Sequence, residues 1–447
     1  MKTKKLHLVS LGCAKNLVDS EIMLGKLMEG GWTLTREPAE AHVIVINTCS
    51  FIESAIDESV DTILELAKYK EHGNCRSLIV AGCLPERFGQ EIVPELPEVD
   101  VFLGTGAFDR IAEAVNDSIS EVPGYFFPDP ELAEFGDWKF RMKDSSLRTP
   151  NSAFIKIAEG CSRHCTYCII PRLRGTQRSR SPEDILSEAG VLFESGAKEL
   201  ILVAQDTTSY GKDINDGTDL ACLLERLSDI SPDNIWLRFM YGHPLSMNDK
   251  LIRTVAEMPN ICTYFDIPIQ HASSSVLKLM ARNYSRDDLM RMFDKIRSMS
   301  PDASLRTTVI TGFPGETDKD FKTLLQFVEA VRFDHLGTFI YSDSEDLPSH
   351  RLPNHVPEDV AKERYDLIMS RQSEISSENN RRYMGRVLDV LVEEDEGEDV
   401  FTGRASFQAP EVDGITYIRS GDAVPGNFVP VKIKDTLEYD LIGDLVV

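Results

Sequence analysis

Short runs of apolar residues alternate with helical patterns along the first 120 residues. The apolar runs are Leu6–Leu11, Val43–Ile46, Leu78–Ala81 and Val101–Leu103, and the helical patterns include Ser20–Glu29 and Ile52–Tyr69. Parallel strands need a crossover between neighbours, usually a helix, so this alternation is typical of a parallel sheet. It predicts an N-terminal α/β domain over residues 1–125.

A second series of strand and helix patterns begins near residue 150. It follows a segment at 126–146 whose Pro, Gly and acidic residues show no period and predict a linker. The predicted strands are Phe154–Glu159, Glu199–Gln205, Ile235–Tyr241, Cys262–Ile269, Ser304–Thr311 and Leu336–Tyr341, and the helices between them are Pro182–Ser195, Leu220–Ser228, Asp249–Glu257, Ser285–Met299 and Lys319–Val331. These units predict a partial barrel or an open doubly wound sheet over residues 147–380. In both folds reactive residues lie at the C-terminal ends of the strands.

The pattern changes again after a polar helical stretch at Val360–Arg382. Short alternating runs separated by turn residues predict a small antiparallel β-barrel over residues 381–447. The runs are Val387–Val392, Phe401–Ser406, Ile415–Ile418 and Phe428–Ile433. The charge block Glu393–Asp399 is interpreted as a solvated hairpin turn.

Composition narrows the class of partner. The chain has 447 residues, and 48 Lys and Arg against 73 Asp and Glu give a formal charge of −25. Such a charge argues against non-specific binding to nucleic acid and favours a basic partner. Since no run of 18 apolar residues occurs, we expect a cytoplasmic protein without a membrane span.

The nine cysteines then suggest metal or redox chemistry, because cytoplasmic thiols stay reduced. Cys161, Cys165 and Cys168 form a Cys-x-x-x-Cys-x-x-Cys loop after the first strand of the central domain. Three thiolates suit an iron–sulfur cluster with one iron left open for a substrate or cofactor. A zinc site with His164 as fourth ligand and three incidental cysteines are the alternatives.

A second set of cysteines is dispersed along the N-terminal domain. Cys13, Cys49 and Cys83 each follow a predicted parallel strand, and such strand ends share one edge of a sheet. The pattern therefore predicts a second three-cysteine cluster. Outside the two sets, Cys222 and Cys262 are interpreted as core residues and Cys75 as incidental in a loop.

The segment AEGCSRHCTYCIIP, with Tyr167 before its last cysteine, resembles the radical S-adenosylmethionine (SAM) superfamily. The resemblance implies that the loop cysteines hold a [4Fe–4S] cluster whose open iron binds SAM. GFPGET at 312–317 is similar to the superfamily's SAM-contacting segment. There Gly312 and Gly315 would let backbone amides approach the cofactor closely.

Over nearly the whole chain the sequence resembles the methylthiotransferases. The segments that carry the resemblance are GCAKNLVDSE at 12–21, NTCSFI at 47–52, AGCLPER at 81–87, EGCSRHCTYCIIPRLRG at 159–175 and DIPIQHAS at 266–273. The family implies a second [4Fe–4S] cluster, on Cys13, Cys49 and Cys83, that delivers sulfur. It also implies a central radical SAM barrel with six βα units, a C-terminal domain of the TRAM kind, and two SAM molecules, one as methyl donor and one as radical source.

Two branches of this family differ in substrate. GCAKNLVDSE and AQDTTSYG at 204–211 are closest to the branch that modifies an aspartate β-carbon of the twelfth small-subunit ribosomal protein, while the other branch acts on an isopentenylated adenosine of tRNA. Residues 383–447 carry five basic and fourteen acidic side chains, a charge of −9. An acidic barrel favours a basic ribosomal protein, free or in the ribosomal subunit, over tRNA. A reducing electron donor protein is also expected.

Four polar residues at strand ends have two interpretations each. Gln205 and Asp206 end the second strand of the central domain and could contact SAM, or they form an ordinary turn. Gln270 and His271 end the fourth strand and could bind ligand or substrate, or they form a satisfied polar pair in the core.

The sequence departs from the family pattern in two segments, ARNYSR at 281–286 and DSEDLPSHRL at 343–352. The alternative from another functional class is a non-catalytic iron–sulfur scaffold or electron carrier. Such a protein would not need two clusters that each have an open site.

Overall fold

The computed structural model describes residues 4–117, 124–132, 135–141, 147, 151–419 and 423–446. The chain folds into two compact units. The first comprises Met1–Arg148, Phe154–His164 and Cys168–Ser181, and the second comprises Thr149–Ala153, Cys165–Tyr167 and Pro182–Val447. The predicted linker 126–146 lies partly outside the described residues, and the four-part division of the chain stays a prediction.

A six-stranded parallel sheet forms the centre of the first unit. Its strands are β1 (Lys4–Ser10), β2 (Trp32–Leu34), β3 (Val43–Thr48), β4 (Ser77–Gly82), β5 (Val101–Leu103) and β6 (Gly124–Phe126), in the order β2-β1-β3-β4-β5-β6. Every residue of β3 and β4 is buried, which explains their unbroken apolar runs. The sequence missed β2 and β6, two short strands at the sheet edges.

Helices connect the strands of this sheet. They are α1 (Ala14–Glu29), α2 (Glu53–Ala67), α3 (Tyr69–His72), α4 (Cys83–Phe88), α5 (Ile92–Glu95) and α6 (Ile111–Asp117). α1 begins six residues before the predicted start at Ser20, because its first turns bury the polar Asn16 and Asp19 and so lack the apolar period. Strand β7 (Ser152–Lys156) is shared between the units, and the first unit ends with β8 (Ala158–Glu159), α7 (Ile170–Arg174) and β9 (Arg178–Ser179).

Parallel strands and helices alternate through the central part of the second unit. The strands are β10 (Glu199–Val203), β11 (Trp236–Phe239), β12 (Tyr264–Asp266), β13 (Ser304–Thr311) and β14 (His335–Ile340). The helices are α8 (Pro182–Glu194), α9 (Leu220–Ile230), α10 (Asp249–Glu257), α11 (Ser274–Leu279), α12 (Arg286–Met299) and α13 (Asp318–Val331). A parallel bridge between Leu237 and Ile261 joins β11 to the chain before β12. The predicted elements recur within a few residues, except that α11 was missed.

The second unit ends in a closed β-barrel. After α14 (Glu358–Asn380), the strands are β15 (Val387–Gly397), β16 (Val400–Ala405), β17 (Thr416–Arg419), β18 (Phe428–Thr436) and β19 (Leu441–Leu445), in the order β15-β16-β17-β19-β18. Val390, Ile418 and Val431 lie in its apolar core. The prediction had four of these strands, and β19 completes the barrel. β19 pairs parallel with β17, so the prediction of a wholly antiparallel barrel was wrong. The α/β class with a C-terminal barrel is confirmed, and no described helix is both long and apolar enough to cross a membrane.

Candidate functional site: two cysteine triads

The cysteines of the N-terminal triad, Cys13, Cys49 and Cys83, lie at one edge of the six-stranded sheet. Cys13 follows β1, Cys49 follows β3, and Cys83 is the first residue of α4, directly after β4. β1, β3 and β4 are neighbours with parallel pairing, so their C-terminal ends meet. The predicted convergence of three strand ends is therefore present in the fold.

Two glycines with positive φ allow the cysteine loops to pack closely. A Cβ on Gly12, whose φ is +87°, would lie 2.8 Å from the Cβ of Cys49 and 3.1 Å from its Sγ. A Cβ on Gly82, whose φ is +98°, would lie 2.3 Å from the Oδ1 of Asn47. Glycine adopts such φ values without the steric cost that other residues bear. The space a side chain would need at position 12 is thus occupied by the Cys49 thiol.

The side chain of Asn16 joins all three loops. Its Nδ2 donates to the carbonyl oxygens of Leu11, in the first loop, at 3.1 Å and of Thr48, in the second, at 2.9 Å. The Cys83 thiol points toward its Oδ1 at 3.9 Å. Asn16 is fully buried, so this single amide fixes the spacing of the triad. This role of Asn16 was not predicted, because the sequence of a helix does not show whether a polar residue is buried.

A buried guanidinium faces the third cysteine. Arg174, the last residue of α7, is 3% exposed. Its Nη2 lies 2.5 Å from the Oδ1 of Asn16 and 3.9 Å from the Sγ of Cys83. Its Nη1 donates to the carboxylates of Asp19 and Glu159, both at 3.1 Å. The role of Arg174 was not predicted either, because in the sequence it is one of several basic residues that follow the cysteine loop.

The surroundings act differently on the three thiols. Burial alone would raise the pKa of Cys13, but the charges of Lys15 and Arg174 outweigh it and hold that pKa below its usual value. Burial raises the pKa of Cys49, and it raises the pKa of Cys83 to about 12 despite the charge of Arg174. Because a thiol must lose its proton to bind metal, a group that occupies this site must displace a tightly held proton from Cys83.

Three thiols are a donor set that an iron–sulfur cluster can use. Among the described residues, no group of three or more His, Cys, Asp or Glu side chains is arranged to hold a metal ion. A four-iron cluster joins each cysteine to a different iron, so its thiols surround a larger centre than one ion provides. Three thiols on one sheet edge, with a buried amide and a cation beside them, fit such a cluster with one iron open.

The loop triad, Cys161, Cys165 and Cys168, follows β8 within eight residues of chain. Cys161 and Cys168 belong to the first unit and Cys165 to the second. In the first unit β8 and β9 pair antiparallel and close the loop, and the Cys161 N–H donates to the Gly175 carbonyl at 3.0 Å. A Cβ on Gly160 would lie 2.1 Å from the Thr176 carbonyl oxygen, so glycine is required there.

In the second unit, the last residue of α11 and residues after α11 and β14 hold the part of the loop around Cys165. Thr166 Oγ1 donates to the Leu279 carbonyl at 2.8 Å, and the Ser349 N–H donates to the Thr166 carbonyl at 2.9 Å. Arg282 Nε and Nη2 donate to the Tyr167 hydroxyl at 3.0 and 2.8 Å. Arg282 and Ser349 belong to the two segments that depart from the family pattern, so these segments contact the cysteine loop itself.

Comparison with known proteins decides the family. The chain matches the Radical SAM superfamily over residues 155–328, Uncharacterized protein family UPF0004 over 5–104 and the TRAM domain over 384–446. It is 53% identical to the ribosomal protein uS12 methylthiotransferase RimO of Desulfosudis oleivorans over 98% of this chain and 99% of that protein. The protein of the same name from Clostridioides difficile is 47% identical over 99% of both chains. This chain belongs to the ribosomal protein uS12 methylthiotransferase family.

The fold of this uS12 methylthiotransferase family member also occurs in solved structures. TsrM from Kitasatospora setae, a radical S-adenosylmethionine methyltransferase, matches with a TM-score of 0.56 at 11% identity, over 85% of this chain and 90% of that one. Such low identity shows the fold alone. Membership of the Radical SAM superfamily implies SAM and a [4Fe–4S] cluster, which favours a cluster over zinc at the loop triad. His164, the fourth ligand that zinc would need, is exposed.

The predicted SAM-contacting residues of this methylthiotransferase family member have contacts within the protein. The Asp206 carboxylate accepts from Thr208 Oγ1 and Ser209 Oγ, both at 2.7 Å, which is the turn-forming role named as its alternative. Gln205, next to it, is half-buried. For both residues a contact with SAM stays a prediction.

His271 forms a satisfied polar pair in the core. It is fully buried, its Nδ1 accepts from the Ser273 N–H at 2.8 Å, and its Nε2 faces Glu316 Oε1 at 3.4 Å. Because Nδ1 accepts, the ring proton lies on Nε2 and points toward Glu316. Gln270 beside it has a φ of +66° and a half-buried side chain. For both Gln270 and His271, a ligand or substrate contact stays a prediction.

Gly312 and Gly315 are needed for packing within the protein. A Cβ on Gly312 would lie 2.3 Å from the Cβ of Ala361 in α14, and one on Gly315 would lie 2.8 Å from Leu279. Their N–H groups donate to Glu316 at 2.5 Å and to the Asn354 carbonyl at 2.8 Å. These contacts explain both glycines without a cofactor, and the predicted approach of their amides to SAM stays untested.

The acidic block of the C-terminal barrel is not wholly a solvated turn. Most of it continues β15 as far as Gly397, and the Glu393 side chain is only 10% exposed. Glu393 pairs at 2.7 Å with Arg404, which also binds Glu199 of β10 at 2.6 Å. Burial raises the pKa of Glu393. This buried pair attaches the barrel to the central strands, which charge patterning alone could not reveal.

The remaining cysteines lie outside both triads. Cys262 is buried, as predicted. Cys75 is also buried, in the apolar core of the first unit, so its interpretation as incidental was wrong. Cys222 is half-buried rather than a core residue, because its Sγ lies 2.8 Å from the Nζ of Lys250 near the surface.

Proposed function

We propose that this protein transfers a methylthio group to the β-carbon of an aspartate in ribosomal protein uS12, with a [4Fe–4S] cluster at each triad. The main support is the second set of three cysteines, since SAM cleavage alone requires only the loop triad. One SAM serves as methyl donor and a second as radical source. Electrons come from a separate reducing protein. In this proposal residues 1–125 carry the sulfur-delivering site and residues 147–380 carry the radical site, with 126–146 as the linker between these domains. Residues 381–447 bind the substrate.

The bound cluster and SAM supply the one-electron chemistry that breaks an unactivated C–H bond, which no side chain can do by proton transfer. The chain itself binds and orients. Tyr167 directly precedes Cys168 in sequence. A hydrogen bond from Arg282 and a T-shaped contact with Phe313, 6.2 Å between ring centres, hold its side chain in place. Asn16 keeps the N-terminal thiols at fixed spacing.

We infer that Phe339 contacts the substrate. It pairs with Ile310, and paired residues of neighbouring strands point to the same face of the sheet. Ile310 packs in one apolar cluster with Tyr167 and Phe313, so this face carries the cysteine loop. Phe339 nevertheless is 50% exposed. A half-exposed aromatic ring on that face suits contact with a polypeptide.

The adjacent residue provides a matched control for this contact. Ile340 is 37% exposed but pairs with Thr311 on the opposite face. We expect Phe339→Ala to raise the KM for uS12 several-fold and Ile340→Ala to leave it near the wild-type value. Equal effects of the two variants would contradict the assignment of Phe339.

Mass spectrometry of a strain that lacks this chain tests the proposed substrate. We expect uS12 from that strain to lose one methylthio mass on an aspartate, and tRNA to keep its modifications. Restoring the gene should restore the mass on uS12. Loss of the methylthio group from an adenosine of tRNA, with uS12 unchanged, would instead support the tRNA alternative.

The charge of the barrel allows a second test of substrate choice. Glu394, Asp395, Glu396, Glu398 and Asp399 are exposed, whereas Glu393 must stay because it pairs with Arg404. Changing the five to amides should slow association with basic uS12 and weaken its salt dependence, since the Debye length falls from about 10 Å at 0.1 M to about 3 Å at 1 M. Tighter tRNA binding with unchanged uS12 association would favour the tRNA alternative.

An equal charge change elsewhere separates local from overall charge. Helix α2 also carries five exposed acids, Glu53, Asp57, Glu58, Asp61 and Glu65. Neutralising them alters net charge by the same amount, so we expect a smaller effect on uS12 association. If both sets slow association equally, the overall field rather than the barrel guides the substrate.

A further inference from the structure

Arg174 connects the two cysteine triads along the chain. Helix α7 begins two residues after Cys168 and ends at Arg174. From there the guanidinium reaches the N-terminal site, where Nη2 donates to the Cys83 sulfur at 3.9 Å and to the Asn16 amide oxygen at 2.5 Å. A residue that follows the radical site in sequence thus contacts a ligand of the sulfur-delivering site.

The other side of the guanidinium belongs to a buried ionic network. Arg174 binds Asp19 and Glu159, and Lys156 binds the same two carboxylates, with its Nζ 2.7 Å from Glu159. All four side chains are buried, with exposures of 10% or less. Among these four side chains the two positive and two negative charges balance. The Nη2 group that faces Cys83 makes none of these ion pairs, because they use Nη1.

Only arginine can fill this position. The planar guanidinium presents N–H groups on two sides, and here one side faces carboxylates while the other faces an amide oxygen and a thiol. A lysine ammonium in the same place can neutralise the carboxylates but has no rigid second set of donors. The geometry thus separates a structural role, the ion pairs, from a role toward Cys83.

We propose that Arg174 is a positioning residue that makes the N-terminal cluster easier to reduce, by donating an N–H bond to the sulfur of Cys83. The inference rests on the proposed cluster at Cys13, Cys49 and Cys83. Hydrogen bonds to ligand sulfur and nearby positive charge stabilise the reduced, more negative cluster and raise its potential. The same contact withdraws electron density from the Cys83 sulfur and weakens its bond to iron.

The test uses the full chain with Cys161, Cys165 and Cys168 changed to Ala, so that every iron signal comes from the N-terminal site. In this parent protein we would compare R174M, R174K and the double variant R174M/E159Q by redox titration and by resonance Raman spectroscopy. Arg282→Met is the control, because it also removes a buried arginine but one that contacts Tyr167 of the cysteine loop. Iron content and thermal melting show that each variant is folded and loaded.

We expect R174M to shift the midpoint potential to more negative values and the Fe–S(Cys) stretch to higher frequency. R174M/E159Q keeps the network neutral yet lacks the N–H bond, so it should show the same negative shift. R174K should shift the midpoint potential less than R174M does. If R174M does not fold, the shift measured for R174K tests the inference instead. Arg282→Met should leave the potential unchanged.

Two outcomes would overturn the inference, and they differ from failure of the proposed function. If R174M/E159Q returns to the potential of the parent, network charge and not the bond to Cys83 sets the potential. If iron-loaded R174M keeps both the potential and the Raman band of the parent, Arg174 has only a structural role. A parent that binds no iron would instead refute the N-terminal cluster itself, and the inference with it.

Discussion

The two cysteine triads are built in opposite ways. The loop triad takes its three residues from eight consecutive positions, so proximity is guaranteed by the chain. The N-terminal triad takes one residue from the end of each of three neighbouring strands, and its members are more than 30 residues apart in sequence. One triad therefore depends on local chain geometry, and the other on the register of a sheet.

Their supports differ accordingly. The N-terminal triad is held from within by a buried amide and a buried guanidinium, Asn16 and Arg174. The loop triad is held from outside, by groups of Leu279, Arg282 and Ser349 that bind the chain between its cysteines. A site assembled by the fold should thus fail when its internal contacts are lost, whereas a local loop should keep its cysteines together and lose only its orientation.

Removing each triad should have the largest effect. With a four-iron cluster at each site, reconstituted protein should hold about eight irons, and changing either triad to Ala should leave about four. The Cys161, Cys165 and Cys168 variant should lose reductive SAM cleavage, because the proposed SAM-binding cluster lies there, while the Cys13, Cys49 and Cys83 variant should retain it. Iron analysis and a SAM cleavage assay measure both. Full iron in the latter variant would mean that these cysteines are only core residues.

Asn16→Ala should come next. It leaves the buried Thr48 carbonyl and the half-buried Leu11 carbonyl without their shared donor, at about 1–3 kcal/mol for an unsatisfied buried group, and the N-terminal loops should separate. We expect about half of the iron to be lost and SAM cleavage to persist. Asn283→Ala, an exposed asparagine in the ARNYSR segment, serves as the control. Equal iron in the two variants would show that the backbone alone assembles the triad.

Gly12→Ala should have a moderate effect of the same kind. Its positive φ costs roughly 1–2 kcal/mol for a residue other than glycine, and its Cβ would also meet Cys49 at 2.8 Å. Gly31 has a nearly equal φ of +85° with open space around the site of its Cβ, so Gly31→Ala isolates the backbone cost. Loss of iron in the Gly12 variant alone would demonstrate the close approach of the first two loops, and loss in both would point to strain.

Arg282→Met should have the smallest effect. The loop keeps its three cysteines in sequence, so we expect iron content near the wild-type value but SAM affinity several-fold weaker, as Tyr167 loses both donors from Arg282. Arg282→Lys should recover part of the affinity. Equilibrium binding of SAM to reconstituted protein is the measurement. Complete loss of the loop cluster would show that this triad, too, depends on tertiary contacts for assembly.

Local pattern was enough to identify much of this protein. The α/β class was predictable because strands buried on both faces form unbroken apolar runs and the helices between them have a period of 3.6 residues. The Cys161, Cys165 and Cys168 spacing was readable because it lies within one loop. The position of the N-terminal cysteines at one sheet edge was also predictable, since each cysteine follows an apolar strand and parallel strands end on one edge.

Only the tertiary structure decided which polar residues support these cysteines. Asn16, Arg174 and Arg282 look like surface residues in the sequence, because burial of a polar side chain leaves no period and its partners are distant along the chain. The same holds for Glu393, whose place in a run of acids predicts solvent exposure until Arg404 is seen beside it. The sequence by itself determined the two sets of three cysteines and where most of the strands run. Three-dimensional packing decided what surrounds each thiol, because charge and hydrogen bonding act through space.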